Sequence, residues 1–234
     1  MRAKMTPNDV RQEIDNCLDL MVHSGITLIA NPVVVERNGR KARVTWRSPA
    51  GLGTLEGAYP FASVDEYREH LRNQAYSAVL CDGSLLQMSY EFSGTRLSGH
   101  RLCFYPCPFD VEPEYFQTDP VLDVIDLHRV AAEPSLRLRS PIRFDYDPTK
   151  TSEGHPAVHV HMLWGHCRCA VNAPLSVGHF LQFVFCNFFP SIWEQHEFLR
   201  KWKRVWRERT ITDDEAFSLH LSATSRDAES LLRR

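Results

Sequence analysis

From Leu136 to Tyr146 the chain keeps one parity: Leu136, Leu138, Ile142, Phe144 and Tyr146 are apolar, while Arg137, Arg139, Arg143, Asp145 and Asp147 occupy the alternate positions. A period of two belongs to a strand with one face on a core, and no helix can be built on it. After a polar loop the pattern returns, with Val158, Val160, Met162 and Trp164 apolar and His159 and His161 between them. If the two segments pair as an antiparallel hairpin, directly opposed residues share a face and apolar must meet apolar. Every register that obeys this puts Arg143, Asp145 and Asp147 beside His159 and His161, and the middle register sets Asp145 opposite His159. Carried through a reversal near Gly165, the same parity adds Arg168 to the polar face and sends Cys167 and Cys169 to the core.

The flanking segments supply the rest of an α+β domain. Thr6-Pro7 opens a helix with Val10, Ile14, Leu18 and Met21 at helical spacing, closed by Gly25. Residues 26–29 and 32–36 read as extended, and Asn38-Gly39 before residues 42–46 is a hairpin signal. Ser63-Val-Asp-Glu66 caps a second helix, which runs to about Asn73. Strands are expected at 77–80, 84–92 and 101–105, giving a mostly antiparallel sheet. Residues 106–120, with four prolines, read as an irregular connection. From Ser176, the residues Val177, Phe180, Leu181, Val184, Phe185 and Phe188 form an apolar helical stripe ended or kinked at Pro190. A basic helix over 192–209 and a short one capped by Thr212 follow. This describes a single domain over 1–234, with a division into 1–105 and 121–234 as the alternative.

A length of 234 residues suits one such domain, and 43% hydrophobic with 24% charged residues excludes a disordered or fibrous chain. A formal net charge of -2 gives no global attraction to nucleic acid or anionic lipid, so such a partner needs a local patch. Seven irregularly spaced cysteines do not form a secreted disulfide framework. With no signal-like or membrane-spanning stretch, the expectation is a soluble, cytoplasmic protein.

The polar face of the hairpin holds the candidate chemistry. Asp145, Asp147, His159 and His161 could carry metal-assisted phosphodiester or nucleic-acid hydrolysis, with Asp145 and His159 the first candidates for metal ligands. Alternatively a histidine is a general acid or base tuned by Asp145, with Arg143 or Arg168 holding phosphate. The bland alternative is a set of complementary charges on the solvated side of an antiparallel sheet. No cofactor motif is present, and a divalent metal is the one cofactor this face could hold. Cys103, Cys107, Cys167 and Cys169 offer either four thiolates for structural zinc or ordinary buried thiols. Cys17, Cys81 and Cys186 fall at apolar positions and read as packing residues. The run from Arg200 to Arg209 is basic around Trp202 and Trp206. There Lys201, Trp202, Lys203 and Arg204 could bind nucleic acid or an anionic membrane, or the tryptophans could pack inward.

Arg143-Phe-Asp-Tyr-Asp-Pro148, His155-Pro-Ala-Val-His159, Cys167-Arg168, Ala173-Pro-Leu-Ser176, Phe180 and Phe188-Phe-Pro190 follow in fixed order. Over residues 136–190 this resembles a bacterial family of unknown function that carries R-x-D-Y-D-P, H-P-x-x-H, C-R, P-L-S and F-x-x-F-I. The resemblance implies occurrence among mobile or antiviral-defence genes. It suggests an accessory or sensor component as readily as an enzyme, and the first expectation is a non-catalytic one that recognises a protein partner or an invader-derived ligand through the polar sheet face or the basic helix. His159-Val-His161 departs from the family pattern, in which a small polar residue follows the single histidine. No residue pattern specifies an oligomeric state.

Overall fold

The computed structural model describes residues 5–49, 51–52, 63–131, 136–137, 139–162, 167–202 and 209–222. The first helix, α1 (Pro7–His23), starts on a reciprocal cap in which the Thr6 hydroxyl accepts from the Asp9 amide and the Asp9 carboxylate accepts from the Thr6 amide. Its Val10, Ile14, Leu18 and Met21 are buried, as their spacing requires. The strands β1 (Thr27–Ala30), β2 (Val33–Asn38), β3 (Lys41–Ser48) and β4 (Gly51–Leu52) lead to α2 (Val64–Arg72), capped by Ser63. In the β2–β3 hairpin Asn38 pairs with Lys41, so Gly39, at φ +58°, takes the first central position of the turn.

Strands β5 (Ala78–Leu80), β6 (Leu85–Ser93) and β7 (Arg96–Tyr105) follow. The 106–120 connection differs from the sequence expectation. It contains a helix, α3 (Pro113–Thr118), and a second, α4 (Val121–Ala131), starts directly after it. Pro113 sits at the first helical position and Pro120 just before the next helix, where a missing N–H costs nothing; the prolines open helices here.

The long alternating segment is also shorter as a strand than as a pattern. Only β8 (Ile142–Tyr146) joins the sheet, while Leu136 forms an isolated bridge with Phe109 and is exposed; Leu138 lies outside the described residues. Pro141 supplies no N–H for the ladder. Arg137 and Arg139 turn instead to the Asp110 carboxylate. Strands β9 (Val158–Met162) and β10 (Cys169–Val171) come next; Trp164 and the reversal near Gly165 lie outside the described residues.

The C-terminal third holds α5 (Val177–Phe188), α6 (Pro190–Gln195), α7 (Glu197–Lys201), α8 (Asp213–Phe217) and β11 (His220–Leu221). The expected continuous helix over 192–209 is broken. His196 (φ -112°, ψ 95°) separates α6 from α7, and Trp202 (φ -58°, ψ 134°) leaves the helical region.

The strands form one sheet in the order β1-β5-β6-β7-β8-β9-β10-β11, with β2, β3 and β4 branching from β6. All pairs are antiparallel except β10 with β11. The β7–β8 ladder runs across the alternative 105/121 division, so both parts belong to a single α+β domain. One face packs on α1 and α5, where Leu102, Phe144 and Val160 meet Met21, Phe180 and Phe185. On the other face, Tyr67 and Leu71 of α2 and Val124 and Ile125 of α4 cover Val79, Leu85 and Cys103. Among the described residues no helix is long and apolar enough to cross a membrane.

Candidate metal centre

The β8–β9 register is the middle one: Asp145 faces His159, Arg143 faces His161, and Phe144 faces Val160. Extended across neighbouring strands, the same face carries two rows, Gln87–Cys103–Arg143–His161 and Ser89–Arg101–Asp145–His159–Ala170. The solvated-face alternative is overturned. Asp145 is 8% exposed and His159 and His161 are each 2% exposed, so this polar face is buried in the middle of the sheet.

Asp145, His159 and His161 each turn one donor atom inward, all within 4.8 Å of one another. The Pro156 carbonyl, 2.8 Å from His159 Nδ1, can only accept, so Nδ1 carries the proton and Nε2 keeps a lone pair. That lone pair lies 3.0 Å from His161 Nε2, which is 3.4 Å from Asp145 Oδ2. Arg143 donates from Nε to the same Oδ2 at 3.0 Å, with its Nη2 2.9 Å from that oxygen in the ion pair, while Oδ1 is buried without a hydrogen bond. Burial alone would push the Asp145 carboxyl up. The hydrogen bond from His161 and the charges of Arg143 and Arg101 overcome it and hold the group at about 2. Burial pulls the His159 imidazole down to about 4, helped by His161 and His155 and only partly offset by the Pro156 carbonyl and Asp145. At neutral pH the centre therefore presents an ionised carboxylate and an unprotonated His159 nitrogen, the forms a metal requires.

These residues fit a divalent ion. With metal–nitrogen distances of about 2.0–2.1 Å, two nitrogens 3.0 Å apart subtend about 90° at a shared ion, which suits adjacent coordination positions. A ligating histidine commonly donates its other N–H to a carbonyl, and a ligating carboxylate is held by hydrogen bonds; Pro156 and Arg143 do this here. The buried, unsatisfied Asp145 Oδ1 lacks the kind of partner such an ion supplies.

The remaining candidates separate. Asp147 does not join the centre, because its carboxylate accepts from the Thr149 amide and pairs with Lys150, capping the turn after β8. Arg143 donates to Asp145 and supports the carboxylate. Arg168 precedes β10, and the Cys169–Val160, Ala170–His159 register extended by one residue sets it abreast of His161, as parity predicts. Cys169 packs against the main core, but Cys167 is exposed, against expectation, since the strand begins only at Cys169. Cys186 is exposed as well, on the outer side of α5, whereas Cys17 is buried and Cys81 half-buried.

The four-cysteine zinc site does not form among the described residues. Cys103 on β7 and Cys169 on β10 are three strand spacings apart, about 14 Å, and sit on opposite faces. Cys103 and Cys107 are buried thiols, both pushed up to about 12 chiefly by that burial. Trp202 packs against Phe185 and Phe198, with ring centroids 6.4 and 5.7 Å apart, which is the inward reading. Lys201 is exposed and paired with Glu197 at 2.9 Å; Lys203, Arg204, Val205 and Trp206 lie outside the described residues.

Sequence reasoning passed over Arg101 and His155. Arg101 directly faces Asp145 across β7–β8, and extending the parity rule one more strand would have found it. His155 is part of the H-P-x-x-H pattern, and its ring lies 4.7 Å, edge to face, from that of His159.

A family model described as an uncharacterized conserved protein (DUF2290) matches residues 27–223. No curated protein and no solved structure matches the chain.

Proposed function

The chain belongs to that uncharacterized conserved family, and we propose that it is a metal-dependent hydrolase acting on phosphodiesters through Asp145, His159 and His161. The observation that carries the reading is the convergence of three buried donors, already oriented by Pro156 and Arg143, on one point. A two-histidine, one-carboxylate set leaves coordination positions open, and a metal bound there would supply an activated water and polarise a substrate oxygen. Charge balance favours an anionic substrate. Asp145 is already matched by Arg143, so a divalent cation adds positive charge to the buried face that an accompanying anion would balance. A phosphodiester supplies that charge, and its oxygens suit arginine N–H donors.

The non-catalytic defence role implied by the family resemblance would use the same polar sheet face or the basic segment to recognise its ligand, and the three converged donors favour the hydrolytic reading. Nucleic-acid binding through the basic tryptophan segment loses Trp202 to the core. The test is the metal content of the purified chain, followed by hydrolysis of bis(p-nitrophenyl) phosphate and of single-stranded nucleic acid with Zn²⁺ or Mn²⁺. The expected result is stoichiometric metal and metal-dependent turnover, both lost in Asp145→Asn and His161→Ala. A chain that binds no metal sinks the centre. One that binds metal and cleaves no phosphodiester sinks the hydrolytic assignment alone.

A further inference from the structure

Resting on the centre just proposed, we infer that His155 is its fourth protein ligand, with a fifth position left to the activated water. By this reading the site takes a nitrogen-preferring transition metal such as Zn²⁺ or Co²⁺, and not Mg²⁺ or Ca²⁺. His155 is the last residue of a tight loop closed by two backbone hydrogen bonds: the Ser152 amide donates to the His155 carbonyl at 3.2 Å, and the His155 amide donates to the Ser152 carbonyl at 2.9 Å. Gly154, at φ +71°, permits the bend. Pro156 follows and restricts His155 to extended backbone. The residue that carries this ring is thus fixed to the one whose carbonyl orients His159.

The side chain is half-buried, but its Nδ1 is fully buried and has no hydrogen-bond partner. An orphaned buried nitrogen carries an uncompensated desolvation cost, which a metal bond would remove. Its ring is 4.7 Å from the His159 ring at an interplanar angle of 74°, almost the relation that His159 bears to His161, at 4.7 Å and 75°. His155 is not among the three converged donors, so it joins by rotation of its ring and not from its present rotamer. Three imidazoles and one carboxylate are a nitrogen-rich donor set, which selects against hard cations that demand oxygen.

Co²⁺ is the probe, because its visible bands strengthen as the coordination number falls from six to five and four. Titrated into the metal-free full chain, it is expected to give bands well above those of hexaaqua Co²⁺. In His155→Gln the bands should weaken and the affinity fall by about 10-fold or more, with unchanged far-ultraviolet circular dichroism. Mg²⁺ should not compete. If His155→Gln keeps the spectrum and affinity of the parent while His161→Ala loses both, the His155 assignment is overturned and the three-residue centre stands. If the parent chain gives no spectrum and binds no Co²⁺, both fall. Competition by millimolar Mg²⁺ against Co²⁺ refutes the metal preference.

Discussion

Acidification from pH 7.5 to 5.0, with a chelator present, should selectively remove stability through His159. In the unfolded chain this imidazole takes its proton near 6.5, whereas in the fold burial and the neighbouring histidines delay that to about 4. The unfolded state therefore binds more protons than the folded state in this window, and stability must fall as pH falls. The contribution is intact above 6.5, declines through the interval and is exhausted below about 4. Its full extent is about 3 kcal/mol at about 1.4 kcal/mol per pH unit of displacement, and about 2 kcal/mol is gone by pH 5. For a urea slope of about 2–3 kcal/mol/M, the unfolding midpoint drops by about 0.7–1 M. His70, also lowered by burial, adds to the same window, so the diagnostic is the difference between proteins. Urea melts by circular dichroism at both pH values should give a markedly smaller drop for His159→Gln than for the parent. The imidazole proton signals of the parent should show His159 still neutral at pH 5. Equal drops in both proteins, or a His159 signal titrating near 6.5, would falsify the buried, Pro156-bonded geometry. Asp145 acts in a lower window: its carboxyl, held at about 2, stabilises the fold above 3.8, and that stability is lost as pH falls towards 2.

Three further outcomes follow from the same contacts. Arg143→Met should cost on the order of 3–5 kcal/mol by leaving Asp145 buried and unmatched, and Arg143→Met combined with Asp145→Leu should recover much of that loss in chemical denaturation; a double variant no more stable than the single one contradicts the pairing. Asp147→Ala should leave metal affinity unchanged by calorimetry and cost about 0.5–1 kcal/mol through the lost cap, so a loss of metal binding would return Asp147 to the centre. Gly83→Ala should destabilise by at least about 1–2 kcal/mol, because Gly83 has φ +82° and a new Cβ would stand 2.8 Å from Phe116 Cζ; an unchanged thermal midpoint refutes this.

Much of the fold was legible because it was written in local chemistry. The Thr6, Ser63, Ser176 and Thr212 caps all lie where their sequence signals place them. The Asn38–Lys41 hairpin and the Asp145–His159 register were equally readable, since one depends on a turn glycine and the other on parity. The misreadings share a cause. Four prolines make 106–120 read as irregular, but at Pro113 and Pro120 position relative to a helix start decides their effect. The basic segment after Ile192 has helical periodicity, but His196 and Trp202 depart from helical dihedrals as Trp202 turns towards Phe185.

The polar face of β8 and β9 illustrates a deeper limit. Alternation reports which side chains share a face, but depth depends on segments far away in sequence, here the α2 and α4 layer packed beside Cys103. An alternating strand buried on both faces normally loses its polar positions to apolar residues, because desolvating ions costs more than a well-packed substitute. Gln87, Ser89, Asp145, His159 and His161 nevertheless stay polar at 8% exposure or less. Hydrogen bonding accounts for part of this: Gln87 donates to the Ala75 carbonyl, and Arg143 holds one oxygen of Asp145. It does not account for Asp145 Oδ1 or His155 Nδ1, two buried atoms left without partners on either side of His159. A network kept only to specify the fold would be expected to satisfy them, so these two atoms support the proposed centre.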